Sequence, residues 1–212
     1  MTVVVTCGPS YEPIDHARRI TNFSTGRLGI ALSNVLAGRG LRVICFKGEM
    51  APCPNPLVGA EHRPFSTNDD LARQLEGLSR SETIDAVLHA AALADFRVEQ
   101  IRNEAGNPVS SPKFSTREGK LHLTVSPALK VLPRLRAWFP SARIIGWKYE
   151  LEGTRAEAFS RAWNQIKECG TDACVLNGAA YGPGYALCHP QGEFEDCANV
   201  PALVQAILKS LR

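Results

Sequence analysis

Short apolar runs alternate with segments of helical periodicity along most of this chain, and that alternation limits its folds more than any other feature. "TVVVTC" (2–7), "LRVICF" (41–46), "IDAVLHAAA" (84–92), "ARIIGW" (142–147) and "DACVLN" (172–177) are six to nine residues long and mostly apolar. Such runs read as strands buried on both faces. Between them, Leu28, Ala31, Leu32, Val35 and Leu36 recur at helical spacing, and "GRG" at 38–40 ends that helix. Further helices are predicted near 69–79, capped by Asn68 or Thr67, and over 127–138, started by Pro127 after Ser126. Two more are predicted over 154–168, with Phe159, Ala162, Trp163 and Ile166 on one face, and over 202–211. "YALCH" (185–189) reads as an edge strand.

Strands that alternate with helices require right-handed crossovers. The expected fold is therefore α/β: a Rossmann-like, doubly wound, mostly parallel sheet with helices on both faces. The 212 residues suffice for one sizeable core, and neither a repeat nor a linker divides them, so a single domain over 1–212 is expected. One stretch breaks the rhythm. Residues 97–125 are polar and rich in turn residues, and "KFST", "REG" and "KLHLTV" within them read as a hairpin. A long polar excursion in a compact domain is either disordered or a functional flap; we favour a flap. Ligands of such sheets bind beyond the carboxyl ends of the strands, which selects residues 7–27, 89–98, 147–150 and 177–184.

The first of these places contains "RRITNFSTGRLG" (18–29), which packs three arginines, an asparagine, hydroxyls and two glycines where a helix begins. A helix N-terminus carries unpaired N–H groups and a positive dipole end. Ser24, Thr25 and Gly26 add hydroxyls and close backbone approach, and Arg27 with Arg18 or Arg19 adds charge. These residues read as a phosphate cradle; the plainer alternative is that Ser24 or Thr25 only caps the helix. The Gly-x-Gly-x-x-Gly fingerprint and the Gly-x-x-x-x-Gly-Lys-Ser/Thr loop are both missing. A net charge of +3 is too small to argue for nucleic acid but suits a small anion. The N-terminus lacks the pattern of a signal peptide, and no apolar run is long enough to span a membrane, so a cytoplasmic protein is expected. Seven cysteines at irregular spacing, without a Cys-x-x-Cys pair, predict buried reduced thiols and no metal site. The five histidines form no close pair; His89, on a strand, reads as a hydrogen-bonded core residue.

The opening "TCGPSYEPIDHARRITNFSTGRLGIALSNVLAGRG" resembles that of phosphopantothenoylcysteine synthetase. "AAALADF" (90–96), "SPKFS", "IIGWK" and "ACVLNG" resemble, in order, the family's Ala-rich strand end, lysine flap, Gly-Phe-Lys strand end and Asn-Asp strand end. The resemblance implies ATP- or CTP-dependent, Mg²⁺-assisted joining of 4′-phosphopantothenate to cysteine through an acyl-nucleotide. It implies Asn22, Arg18 and Lys113 as catalytic residues, the asparagine donating to a developing oxyanion and the lysine closing over the triphosphate. For nucleotide and phosphate it implies Ser24, Thr25, Gly26, Arg27, Ala90, Ala91, Ala92, Asp95, Trp147, Lys148, Lys167 and Asn177. From the residues alone, Asp95 can equally be a helix cap or turn residue and Trp147 a core residue. The resemblance further implies a homodimer, no flavin, and a separate decarboxylase encoded elsewhere; neither nucleic acid nor membrane is an expected partner. The departures are Asn177-Gly178 in place of Asn-Asp, a single flap lysine, and "GWKYELEG". They leave a non-catalytic nucleotide- or phosphopantothenate-binding regulator of the same fold as the alternative.

Overall fold

The computed structural model describes residues 1–211. In chain order the elements are β1 (Thr2–Cys7), β2 (Tyr11–Pro13), β3 (Arg19–Thr21), α1 (Arg27–Gly38), β4 (Arg42–Gly48), β5 (Glu61–Phe65), α2 (Asn68–Ser81) and β6 (Ala86–His89). After these come β7 (Phe96–Asn103), β8 (Leu121–Pro127), α3 (Leu135–Trp138), β9 (Arg143–Tyr149), α4 (Arg155–Cys169), β10 (Ala173–Gly178), β11 (Gly182–Cys188), β12 (Phe194–Cys197) and α5 (Val200–Ser210).

The central sheet has the order β12-β11-β10-β9-β6-β1-β4-β5. Its strands from β5 to β10 are parallel, and β11 and β12 run antiparallel at one end. Alternate residues of the buried strands face opposite layers. Val3, Val5, Leu88 and Val175 pack under α1 and α5, against Leu32, Leu36 and Leu203. Val4, Phe46 and Val87 pack under α2 and α3, against Leu71, Leu75 and Leu135. Cys174 and Leu176 pack under Phe159, Ala162 and Ile166 of α4. The expected doubly wound sheet with helices on both faces is what forms. From β1 the chain winds outward through β4 and β5, then returns to β6 on the other side of β1. The carboxyl ends of β1 and β6 therefore diverge into a crevice, where such sheets bind ligands.

Several local expectations shift. Pro127 does not begin a helix: it ends β8, paired with Phe96, and helical geometry starts only with a 3₁₀ turn at Leu132–Arg134 before α3. The pyrrolidine ring pushes Ser126 toward extended backbone, and pairing with β7 keeps both residues there. The flap hairpin is real, but its first arm is Phe96–Asn103 rather than "KFST". Phe114 is buried, and Thr116–Glu118 is a 3₁₀ turn capped by Ser115. The strand around 185–189 is not an edge, because β12 covers it. All seven cysteines are free thiols, six of them buried.

Candidate active site

The crevice between β1 and β6 widens into a cleft of about 890 Å³. One wall is the start of α1. Gly26 is its N-cap, in left-handed geometry at φ 72° and without a side chain to cap the helix, and the Arg27 N–H donates to Thr25 Oγ1 (3.3 Å). Thr25 thus satisfies one amide of the first turn, Ser24 Oγ satisfies none among the described residues, and no acidic residue neutralises the turn. The N–H groups of Leu28 and Gly29 have no partner among the described residues and stay available beside the Arg27 side chain. Gly29 lets the helix sit directly on β1, since a Cβ there would lie 2.1 Å from Cys7 Cβ. Ser24, Thr25, Gly26 and Arg27 all line the cleft.

The second wall is the loop after β6. Ala90 N–H donates to Thr6 O (3.0 Å) and Ala92 N–H to Gly8 O (3.0 Å), so the loop runs on beside β1. Ala90, Ala91, Ala92 and Asp95 line the cleft. Asn22, beside the cleft rather than among its lining residues, donates from its amide to Ala92 O (3.2 Å) and Leu93 O (3.0 Å). Both of its N–H bonds are thus used within the protein, and the atom left for a ligand is Oδ1, an acceptor. The expected role as oxyanion donor does not match this geometry. Asp95 forms an ion pair with Lys130, which also lines the cleft. Buried Asn68 holds this wall from behind, accepting from Ser10 Oγ (2.7 Å) and donating to Ala94 O (2.8 Å) and Leu129 O (2.9 Å). The sequence offered Asn68 only as a possible cap; Thr67 is the cap.

The third wall is β9, β10 and one face of α4. Trp147, Lys148 and Asn177 line it. Trp147 packs against the α1–α5 layer, and its Nε1 is buried without a partner among the described residues. Glu150 joins two cleft cations, Lys148 (3.5 Å) and Arg161 (2.5 Å). Arg161, Asn164, Gln165 and Glu168 recur at helical spacing and turn one face of α4 into the cleft. Lys167 lies off that face, exposed and outside the cleft. The helical phase of α4 was readable, but nothing local told which polar face met a ligand.

Besides Lys167, Arg18 and Lys113 were expected in the site and stand apart from the cleft. Arg18 pairs with Asp15 (2.6 Å) and donates to Phe114 O (2.7 Å), while Asp15 accepts from Phe114 N–H (3.2 Å). His16 N–H donates to Pro112 O (3.0 Å). Together these bonds clasp the turn between β2 and β3 to the flap. Burial opposes ionisation of Asp15, but the amides of Ala17, Phe114 and Arg18 and the Arg18 guanidinium outweigh it and hold the carboxyl at about 2. Lys113, next in the chain to Phe114, has an exposed side chain outside the cleft. Arg19 lies over the Tyr11 ring instead (4.6 Å).

Gly178 follows Asn177 with φ at 119°, and a Cβ there would lie 2.2 Å from Glu150 O. The backbone at the end of β10 admits only glycine at this position. Arg27, Lys130, Lys148 and Arg161 outnumber Asp95 and Glu168 around the cleft, which suits a polyanion. Among the described residues no three His, Cys, Asp or Glu side chains converge as a metal site.

A family model described as the DNA/pantothenate metabolism flavoprotein C-terminal domain matches residues 1–187. The chain is 29% identical over 175 residues to the coenzyme A biosynthesis bifunctional protein CoaBC of Thermococcus kodakarensis, covering 82% of this chain and 40% of that protein. It is 29% identical over 181 residues to the Bacillus subtilis protein of the same name, covering 85% and 42%. The chain thus spans about two fifths of the length of these curated relatives. Its fold is similar to a crystal structure of the DNA/pantothenate metabolism flavoprotein from Streptococcus pneumoniae, with TM-score 0.84, 19% identity, and coverage of 100% of this chain and 98% of that one. It is also similar to the C-terminal domain of a coenzyme A biosynthesis bifunctional protein CoaBC, with TM-score 0.75, 20% identity, and coverage of 99% and 93%.

Proposed function

Because this chain belongs to the family of the DNA/pantothenate metabolism flavoprotein C-terminal domain, we propose that it is a phosphopantothenate–cysteine ligase of coenzyme A biosynthesis. The observation that carries the reading is the convergence, in one cation-lined cleft, of a helix N-terminus with no acidic residue in its first turn and a strand-end loop gripped by Asn22. One wall suits the phosphates of a nucleotide, and the other suits the carboxylate that must attack them.

In the first step a carboxylate oxygen of 4′-phosphopantothenate attacks the α-phosphorus of CTP or ATP, and pyrophosphate leaves. In the second the cysteine amine attacks the acyl carbon, and the nucleoside monophosphate leaves. The α1 amides with Ser24, Thr25, Gly26 and Arg27 would hold the phosphates. Lys148, Arg161 and Lys130 would spread the charge of the departing pyrophosphate. Asn22 Oδ1 would accept from the attacking amine and so orient it. Asp95 would hold Lys130, Trp147 and Asn177 would bound the nucleotide, and Lys113 would be carried inward by the flap, excluding water. Mg²⁺ enters with the triphosphate as part of the substrate, consistent with a cleft whose carboxylates are few and of which Asp95 is already paired. On this reading no flavin takes part, the protein acts as a homodimer, and its product passes to a decarboxylase.

The test is pyrophosphate release with 4′-phosphopantothenate and Mg²⁺, comparing CTP with ATP, with and without cysteine, for the wild type and Asn22→Asp. The expected result is cysteine-dependent turnover with one nucleotide, reduced roughly 10²-fold in the variant, whose carboxylate cannot donate to Ala92 O and Leu93 O and so misplaces that wall. No turnover with either nucleotide, together with tight ligand binding, would replace the ligase with a non-catalytic binder.

A further inference from the structure

His89 ends β6 at the floor of the cleft and is 6% exposed. Its Nδ1 lies 2.8 Å from Thr6 Oγ1, on the neighbouring strand and in direct register. The buried Thr6 hydroxyl already accepts from Ala91 N–H (3.3 Å), and among the described residues its own hydrogen has no acceptor other than Nδ1. A buried hydroxyl keeps its donor bond, so Thr6 donates to Nδ1 and the ring hydrogen resides on Nε2. Nε2 has no partner among the described residues, nor is it among the buried orphan atoms. It therefore opens into the cleft that His89 lines.

We propose that His89 is a further ligand-contacting residue, whose imidazole, fixed by Thr6, presents the Nε2 hydrogen to a substrate oxygen at the centre where the acyl phosphate forms. The location supports this. Residues 90–92, immediately after His89, form the wall that Asn22 grips, and the α1 cradle stands opposite. Gly146, on the other side of His89 in register, has no side chain to cover the ring. Burial lowers the imidazole to about 4, so the group is an uncharged donor at neutral pH. Such a donor strengthens its bond as charge grows on the oxygen and gives up no proton. Which oxygen it serves rests on the ligase reading; that it touches the ligand does not.

The first experiment is long-range ¹H–¹⁵N correlation of the histidine rings in the wild-type protein, with His16, His62, His122 and His189 as internal controls. The expected pattern is Nε2 protonated and Nδ1 bare in His89, with the Nε2 signal moving when CTP or ATP and 4′-phosphopantothenate are added. A ring protonated on Nδ1 instead, or an Nε2 signal unmoved at saturating ligand, overturns the proposal even if the protein turns over. A shifted Nε2 without turnover sinks the ligase and leaves the contact standing. The second experiment is kinetic. His89→Leu is expected to lower kcat roughly tenfold or more with nucleotide KM changed less than about threefold, and His89→Gln, which keeps an N–H near the Nε2 position, to restore most of it. A Leu variant with wild-type kcat overturns the assignment.

Discussion

At the scale of single residues, the clearest contest is between the end of β10 and the site residues it resembles. The resemblance implies Asn-Asp where this chain has Asn177-Gly178. With φ at 119° and Glu150 O 2.2 Å from any Cβ, the position rejects a side chain on both conformational and steric grounds. Gly178→Asp is therefore expected to lower stability by about 2 kcal/mol or more, and Tm by roughly 4 °C or more. Calorimetry of the variant checks this, and an unchanged Tm would show that the strand end relaxes freely. The carboxylate missing at 178 has a neighbour in Glu150, which holds Lys148 and Arg161 beside the same cleft wall. Asn22 shows the complementary case. The residue was legible, but its working atom was not, because only the carbonyls of Ala92 and Leu93 determine which half of the amide is already used.

At the scale of elements, the flap shows how far patterning carries. Its polarity marked residues 97–125 as an excursion, and β8 was read from "KLHLTV". The partner strand was missed because Phe96–Asn103 is largely polar or charged, and only its pairing with β8 holds it extended. The clasp of Asp15 and Arg18 on Phe114 joins elements about a hundred residues apart, which no local pattern signals. Asp15 has a lowered native value, so its contribution is complete above the ordinary carboxylate range and is lost as pH falls from about 4 through about 2. Asp15→Asn is expected to free the flap without unfolding the sheet. Amide hydrogen exchange at Phe114 should accelerate several-fold at neutral pH, while the β1 and β6 amides keep their protection. Equal protection of Phe114 in variant and wild type would mean that packing of its ring, not the clasp, docks the flap.

At the scale of the whole molecule, His89 couples the sheet to pH. Its native value of about 4 lies below the ordinary 6.5. Between those values the unfolded chain takes up a proton that the folded protein refuses, so stability rises with pH across the window and is lost as pH falls from about 6.5 toward 4. The full effect is roughly 3 kcal/mol, at 1.36 kcal/mol per pKa unit. Chemical unfolding at a series of pH values should show that slope in the wild type and a shallower one in His89→Gln. Identical slopes would place the titration elsewhere.

The layered sheet, and the turn from β1 to α1 that walls the cleft, were legible in the chain order alone. Continuous apolar runs can be satisfied only by burial on both faces, and Ser24, Thr25, Gly26 and Arg27 are contiguous in the chain, so their place at a helix start on the cleft needed no distant partner. What only the tertiary structure decided is which distant residues complete the cleft. Strand order set β6 beside β1, and register set His89 opposite Thr6. The phase of α4 turned Arg161 inward and left Lys167 outside, and the flap clasp took Arg18 away from the cleft. Periodicity encodes which face of an element is buried, but not what that face meets. That depends on strand order, register and crossover packing, which become fixed only when the sheet closes into a single core.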